Sequence, residues 1–388
     1  MLIAIIVIVV APIVVITAFF SMEVLAGLRP LRMTQADGPA PRTAIVVPAH
    51  DEEGVIAETV ASLVGAASSD TFVLVVADNC SDGTAKIAEA AGAGVIERDE
   101  PQRRGKGFAL AAARDALRSD PPEVVMIIDA DCTIDARSIE ALSRAAAVTG
   151  RPCQAVYLLT PDLAASPTLQ ISNFAFLIKN LVRQRGLQRL AGRAHLTGTG
   201  MALPWELFDT SDLGGSNIVE DLALGLELAS RKLPPMLRED AIVWSRPASD
   251  RETLNQRRRW EGGYMTTAVQ VAPRAFARSL GAGDVKGLFA ALDLSVPPLA
   301  LLVMLNCAAL LLGIAAMALG GTSWLLVLQV TVGALAGLAL ALAWAREGRR
   351  FVSAGSLARL PLYLLWKLPL YAGLARRGAP KEWQRTGR

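Results

Sequence analysis

A mostly parallel α/β sheet joined to α-helical transmembrane segments is the fold class this sequence predicts, and three observations predict it. Short β-branched apolar runs alternate with stretches of helical periodicity between Thr43 and Leu117, the pattern of βαβ units whose strands lie parallel and buried. Those runs end in acidic clusters, and sheets of this kind bind ligands beyond the carboxyl ends of their strands. Three further runs, Leu2–Phe20, Val296–Leu319 and Trp324–Ala345, are apolar over lengths that cross a hydrocarbon core at about 1.5 Å per residue.

Composition agrees. Of 388 residues, 52% are hydrophobic and 19% charged, too apolar a balance for an ordinary soluble protein. The net charge is only +3, and no basic run is interleaved with aromatics, which argues against nucleic acid as a partner and for membrane lipid. The four cysteines, Cys80, Cys132, Cys153 and Cys307, have neither Cys-x-x-Cys spacing nor the density of a disulfide framework, so reduced thiols are expected. With His50 and His195 as the two histidines, zinc chemistry is disfavoured.

Taken in order, the first apolar run has no basic residues before it and Arg29, Arg32 and Arg42 after it. The positive-inside tendency then places the N-terminus outside and the following domain in the cytoplasm. A small-residue cleavage site is lacking, so the run reads as a retained anchor over 1–22. A catalytic domain is expected over 40–250. Within it Thr43–Val47, closed by Pro48, is a strand, Glu52–Gly65 a helix, and Phe72–Ala77 a strand ending in Asp78. Ser81-Asp82-Gly83-Thr84 offers N-caps for a helix through Ala91. Gly94–Ile96 is a short strand, Arg98–Gly107 a loop and Phe108–Leu117 a helix.

The central strand, Val124–Ile128, is bounded by Pro121-Pro122 and runs into Asp129-Ala130-Asp131. Alternate residues of a strand share a side, so Asp129 and Asp131 are expected together, as hard oxygen ligands of Mg²⁺ or Mn²⁺. A solvated acidic turn is the plain alternative for an isolated Asp-x-Asp. Pro48–Glu53, Asp78–Thr84 and Asp129–Asp131 close three strands, and three acidic tips converge on one crevice. No Gly-x-Gly-x-x-Gly or Walker loop follows the first strand, which disfavours a dehydrogenase or an NTPase.

Seven motifs occur in order: Pro48-x-x-x-Glu52-Glu53, Asp78-x-x-Ser81-Asp82-Gly83-Thr84, Gly105-Lys106-Gly107, Asp129-x-Asp131, Gly198-Thr199-Gly200, Glu220-Asp221 and Gln256-x-x-Arg259-Trp260. Through them the stretch from Thr43 to Trp260 resembles the family 2 glycosyltransferases, in particular the membrane-embedded synthases of cellulose, hyaluronan and poly-N-acetylglucosamine type. Asp78-Asn79 stands where many relatives have Asp-Asp, and Val219 where a Thr is frequent before Glu220-Asp221; the carboxylates are kept.

The resemblance implies a GT-A nucleotide-sugar fold, a divalent cofactor (Mg²⁺ or Mn²⁺) and inversion at the anomeric carbon. Transfer requires a neutralised diphosphate leaving group and a deprotonated acceptor hydroxyl. Asp131, with Asp129 near the ribose, would hold the metal. Asp78, Pro48 and Glu52 would take the base and ribose, and Lys106 on its Gly-flanked loop a phosphate, unless it is only a solvated charge. By resemblance Asp221, beside Glu220, is the general base; a plain helix-dipole partner is the alternative. Gly198-Thr199-Gly200 would line the acceptor cleft.

Gln256, Arg259 and Trp260 share one face of a helix, with Arg259 suited to a diphosphate and Trp260 to a sugar ring. The segment 251–290 also reads as amphipathic helix on anionic lipid. A transmembrane hairpin is expected over 291–346, with Arg346, Arg349 and Arg350 marking the return to the cytoplasm. In 355–388 the apolar stretch Leu357–Leu374 contains Arg359 and Lys367 and precedes Arg376, Arg377, Lys381, Arg385 and Arg388. Positive charge on both sides suggests an interfacial or re-entrant helix with snorkelling basic residues, and three spans in all.

The function expected is transfer from a cytoplasmic nucleotide sugar, UDP-linked for preference, to a growing polysaccharide or lipid-linked glycan at the inner membrane. Transfer of a single sugar to a ceramide-like lipid or a polyprenyl phosphate is the enzymatic alternative, and an inactive scaffold for a synthase partner the remote one. Three helices are too few to enclose a glycan path, so export of a polymer would call for a second copy or a partner.

Overall fold

The structure, a computed structural model, describes residues 2–34, 38–214, 220–246, 250–321 and 323–378, and of 2–5, 220 and 250–256 the backbone alone. Two compact units emerge, one made of Pro30–Thr160 and Arg193–Glu252, the other of Met1–Arg29, Pro161–Gly192 and Thr253–Ala379.

The chain opens with α1 (Leu2–Gly27) of the second unit. The first unit then begins: β1 (Thr43–Ala49), α2 (Ile56–Ala66), β2 (Thr71–Asp78), α3 (Thr84–Ala90), β3 (Gly94–Arg98), α4 (Lys106–Leu117), β4 (Val124–Ile127), β5 (Cys132–Ile134), α5 (Ala136–Thr149) and β6 (Cys153–Leu159). An excursion through α6 (Pro167–Leu177), a π-helical turn (Ile178–Arg183) and α7 (Gln184–Ala191) precedes β7 (Met201–Pro204), α8 (Trp205–Thr210), α9 (Glu220–Ser230) and β8 (Met236–Ser245). Helices complete the chain: α10 (Asp250–Ala282), α11 (Val285–Ser295), α12 (Leu299–Ala318), α13 (Trp324–Ala343), α14 (Ala354–Leu357) and α15 (Leu360–Arg377).

The first unit is an eight-stranded sheet in the order β3-β2-β1-β4-β7-β6-β8-β5. Ala44, Ile45, Val46 and Val47 of β1 are all buried, as two-sided cover by helices requires. One layer of that cover is α4, whose Ala109, Leu110, Ala113 and Leu117 join Val125, Ile127, Leu203 and Phe208 in one core. Each fully buried Leu, Ile or Phe there contributes about 1.5–3 kcal/mol. The strand alternation read from the sequence is found in β1 to β4, where β1 runs parallel to both β2 and β4. The central strand has a second neighbour of the opposite sense, since β4 pairs antiparallel with β7, Ile127 opposite Met201. The sheet is therefore mixed, though mostly parallel. Antiparallel entry follows from the chain path: β7 returns after the α6–α7 excursion instead of through a βαβ crossover.

Among the described residues, three helices are long and apolar enough to cross a membrane: Ile6–Gly27, Leu299–Ala318 and Trp324–Gly348. They coincide with the three apolar runs. Polar side chains link them, for Asn306 Nδ2 donates to Thr17 Oγ1 at 3.0 Å and Gln329 Nε2 donates to Asn306 Oδ1 at 2.8 Å, bonds that fix register between helices in an apolar medium.

The second unit also gathers Pro161–Gly192, which the partition at 40–250 assigns to the sheet. Its tie is ionic. Arg183 Nε donates to Glu23 Oε2 at 2.6 Å and Nη2 to Asp293 Oδ1 at 2.5 Å, so α1, the π-helical turn and α11 share one buried guanidinium. Lys367 corrects a second expectation. It is fully buried and donates to Glu261 Oε1 at 2.7 Å, while the Tyr371 hydroxyl donates to Glu261 Oε2 at 2.8 Å. Burial pulls its ammonium down from the ordinary lysine range, with Glu261 opposing. Lys367 thus pairs inside the protein and does not snorkel, whereas Arg359 of the same stretch is exposed. The side chains of Lys381, Arg385 and Arg388 lie outside the described residues.

Candidate active site

The ends of β1 and β2 are sewn together by their own motif residues. Asp51 and Asn79, directly beyond these strands, take left-handed backbone (φ 53° and 52°), which Asp and Asn tolerate better than other side chains. Asp51 Oδ1 accepts from Ser81 N at 2.6 Å, Thr84 Oγ1 from Glu52 N at 2.8 Å, and Glu53 Oε2 from Gly83 N at 3.0 Å. Asp82 Oδ1 accepts from Thr84 N at 3.0 Å in the first turn of α3, although the N-cap position itself is Gly83. His50 Nδ1 lies 2.7 Å from the Asp78 carbonyl oxygen.

Asp78 is buried and ion-paired with Arg98, and it also accepts from Asn79 Nδ2 at 2.9 Å. Arg98, on the neighbouring strand in register with Asp78, donates on to Arg103 O at 2.6 Å and stacks on Phe108. Sequence reasoning missed Arg98. The register opposite Asp78 is its signal, and register becomes visible only once β2 and β3 are paired.

Asp129 and Asp131 follow β4 on a turn, with Cys132 N donating to Asp129 O at 3.0 Å. They are brought side by side by that turn and not by strand alternation. Carboxylate oxygens of Asp129 and Asp131 and the Cys132 sulfur all lie within 4.8 Å of one another. Burial, with the two aspartates behind it, pushes the Cys132 thiol well up, and the two carboxylates are the hard oxygen donors of the group. Ser245 Oγ, from β8, donates to Asp131 Oδ2 at 3.2 Å. The backbone N of Asp129 donates to Thr199 Oγ1 at 3.0 Å, and Thr199 is fully buried.

Lys106, the first residue of α4, crosses to this turn. Its ammonium pairs with Asp129 and donates to Gly198 O at 2.7 Å. Gly198 has φ +88°, and a Cβ there would stand 3.3 Å from Asp221 Oδ2 and 3.8 Å from Lys106 Nζ. Asp221, in the first turn of α9, accepts at Oδ1 from Leu222 N at 2.8 Å. One glycine is thus surrounded by the ammonium of Lys106 and the carboxylate of Asp221, with Asp129 bound to the same lysine. The side chain of Glu220 lies outside the described residues.

Gly200 is tighter still: at φ +66° its added Cβ would meet Val243 Cγ2 at 2.8 Å and Ala155 Cβ at 2.9 Å. Gly200→Ala should therefore cost about 2–4 kcal/mol, left-handed strain and overpacking combined. Thermal unfolding of the variant against the parent checks this, and an unchanged midpoint would show that β6 and β8 yield.

Arg259 and Trp260 stand on α10, in the other unit, and the side chain of Gln256 lies outside the described residues. The Trp260 ring packs on Phe176 with centroids 5.8 Å apart, and the Arg257 guanidinium covers it at 5.4 Å.

Residues 40–263 match the family described as glycosyltransferase-like family 2, and the chain belongs to that family. A stretch of 99 residues is 39% identical to the low-salt glycan biosynthesis hexosyltransferase Agl6 of Haloferax volcanii, covering 25% of this chain and 22% of that protein. The chain thus spans only about a fifth of that relative's length. Among solved structures, the mannosyltransferase PcManGT from Pyrobaculum calidifontis, in complex with GDP-Man and Mn²⁺, superposes with a TM-score of 0.56 at 18% identity, over 95% of this chain and 100% of that one. Glucosyl-3-phosphoglycerate synthase from Mycobacterium tuberculosis, in complex with Mn²⁺, UDP-Glc and phosphoglyceric acid, gives 0.37 at 19% identity over 60% and 85%. The fold is that of the GT-A glycosyltransferases.

Proposed function

We propose that this glycosyltransferase is a membrane-bound, inverting enzyme of the synthase-related branch, which takes a UDP-linked sugar from the cytoplasm and adds it to a growing polysaccharide or lipid-linked glycan. The observation that carries the reading is the gathering of Lys106, Asp129 and Asp221 around Gly198, with Asp131 beside Asp129.

Asp129 and Asp131 are a donor set of hard carboxylate oxygens, which fits Mg²⁺ or Mn²⁺ better than a soft metal. A divalent ion bound there would supply charge neutralisation of the diphosphate as it leaves. Lys106 adds a second positive charge for the phosphates, delivered from a helix start that itself favours anions. Asp78, held by Arg98, and Pro48 and Glu52 face the base and ribose. Asp221 takes the proton of the acceptor hydroxyl at its carboxylate as that oxygen attacks the anomeric carbon from the side opposite the diphosphate, which inverts the centre. Gly198-Thr199-Gly200 lines the acceptor cleft through Gly198, whose missing Cβ lets backbone come close, while Gly200 is demanded by packing against Ala155 and Val243. Arg259 is assigned to the diphosphate and Trp260 to an acceptor sugar ring.

The three apolar helices favour a short product over a secreted chain, since a glycan inside lipid must be shielded along its length. The test is purified full-length protein in detergent, given a panel of labelled nucleotide sugars with lipid and oligosaccharide primers. One donor should be turned over, and the primer should gain one or a few sugars. Long polymer from single copies would overturn the short product, and no turnover with any donor would favour the scaffold.

A further inference from the structure

The second unit contains a cavity of ≈ 70 Å³ bordered by α6, the π-helical turn, α10 and the start of α12. We propose that it binds the phosphomonoester headgroup of an anionic membrane lipid, with Arg257 and Lys179 as its cationic partners.

Charge is the first argument. Arg257 is 8% exposed, stacks on Phe176 at 5.0 Å and on Trp260 at 5.4 Å, and donates to Ser172 Oγ at 3.2 Å and Ser172 O at 3.4 Å. Both acceptors are neutral, and among the described residues no carboxylate lies within ion-pair distance of it. A buried guanidinium stays charged, and low dielectric makes an unmatched charge costly. Two charges of the cavity wall are paired within the protein, Arg183 with Glu23 and Asp293, and Glu261 with Lys367. Lys179 stands over the Tyr264 ring at 5.2 Å. A planar guanidinium and an ammonium lining the same cavity are the chemistry that recognises phosphate oxygens.

A second, independent feature is the backbone. Lys179 and Arg183 both come from the π-helical turn, and such turns, rare and costly to keep, concentrate at functional sites. The volume admits several water-sized groups, enough for a phosphate ester.

Position argues for a lipid as the carrier. The cavity is floored by Pro297, Pro298 and Leu299, where α12 begins, and by Phe20 of α1. Both are helices long and apolar enough to span a membrane, and the cavity lies at the start of the second and beside the last third of the first, within reach of headgroups. The proposal rests on the membrane placement of those helices and not on the catalytic assignment.

Delipidated full-length protein in detergent, without nucleotide sugar, is titrated with phosphatidate, phosphatidylcholine and inorganic phosphate, and binding is read by native mass spectrometry and thermal shift. Phosphatidate should bind and raise the melting temperature, and Arg257→Gln should weaken it at least 10-fold, Lys179→Gln less and Arg257→Lys least. Equal binding of phosphatidylcholine, or undiminished binding by both glutamine variants, would overturn the site. A shift of the same size from inorganic phosphate would overturn the lipid as carrier. If Arg257→Gln lowers the unliganded melting temperature, Lys179→Gln decides. Recovery of the protein in the soluble fraction would instead remove the membrane reading, whatever the cavity binds.

Discussion

Asp131→Asn is expected to reduce turnover about a thousandfold or more, because a divalent ion at a developing negative charge supplies several kcal/mol and each 1.4 kcal/mol or so is tenfold in rate. Asparagine keeps the shape and the acceptor for Ser245 Oγ, 3.2 Å away, so the fold should survive while one of two anionic ligands is lost. Chelator should silence the parent enzyme, with Mn²⁺ or Mg²⁺ restoring it. Full activity in excess chelator would exclude the Asp129–Asp131 turn as a metal site and leave Lys106 as the principal counter-charge for the diphosphate.

The second large effect belongs to Asp221. Removal of a general base costs about 10²–10⁴ in rate, and Asp221→Asn should show that loss in kcat with nucleotide affinity within a few fold, since the base meets the acceptor and not the donor. The geometry offers a competing role. Its Oδ2 stands 3.3 Å from where a Gly198 Cβ would be, in the company of the Lys106 ammonium, so Asp221 also helps set the potential that holds Lys106. A parallel loss of nucleotide affinity and rate would mean that this second role dominates.

Much of this architecture is legible in the residues. The β-branched runs of β1 and β4 are buried on both faces and so carry an unbroken apolar signal, and the membrane-length helices announce themselves by the same means. β7 was not legible: its Met201–Pro204 is four residues long, too short for periodicity, and its antiparallel sense depends on an excursion that sequence pattern does not reveal. The apolar face of α6 tells that it is buried but not against what, so the sequence alone does not separate 161–192 from the sheet. At the candidate site, motif spacing singles out Asp129, Asp131, Lys106 and Gly198, whereas their mutual contacts depend on a turn and on a lysine reaching from α4. Arg98, Ser245 and Arg257 carry no local signature, because each matters through a partner at least 20 residues away in the chain.

The shared guanidinium of Arg183 sets a timetable for assembly. Glu23 is synthesised 160 residues before Arg183, and Asp293 follows 110 residues later. At about 5–20 residues per second, the carboxylate on the first helix waits roughly 8–30 s for its cation. During that interval α1 lacks the ionic partner that ties it to the π-helical turn. A helix made early is thus among the last to acquire its native neighbours, and α1 is a keystone fitted late.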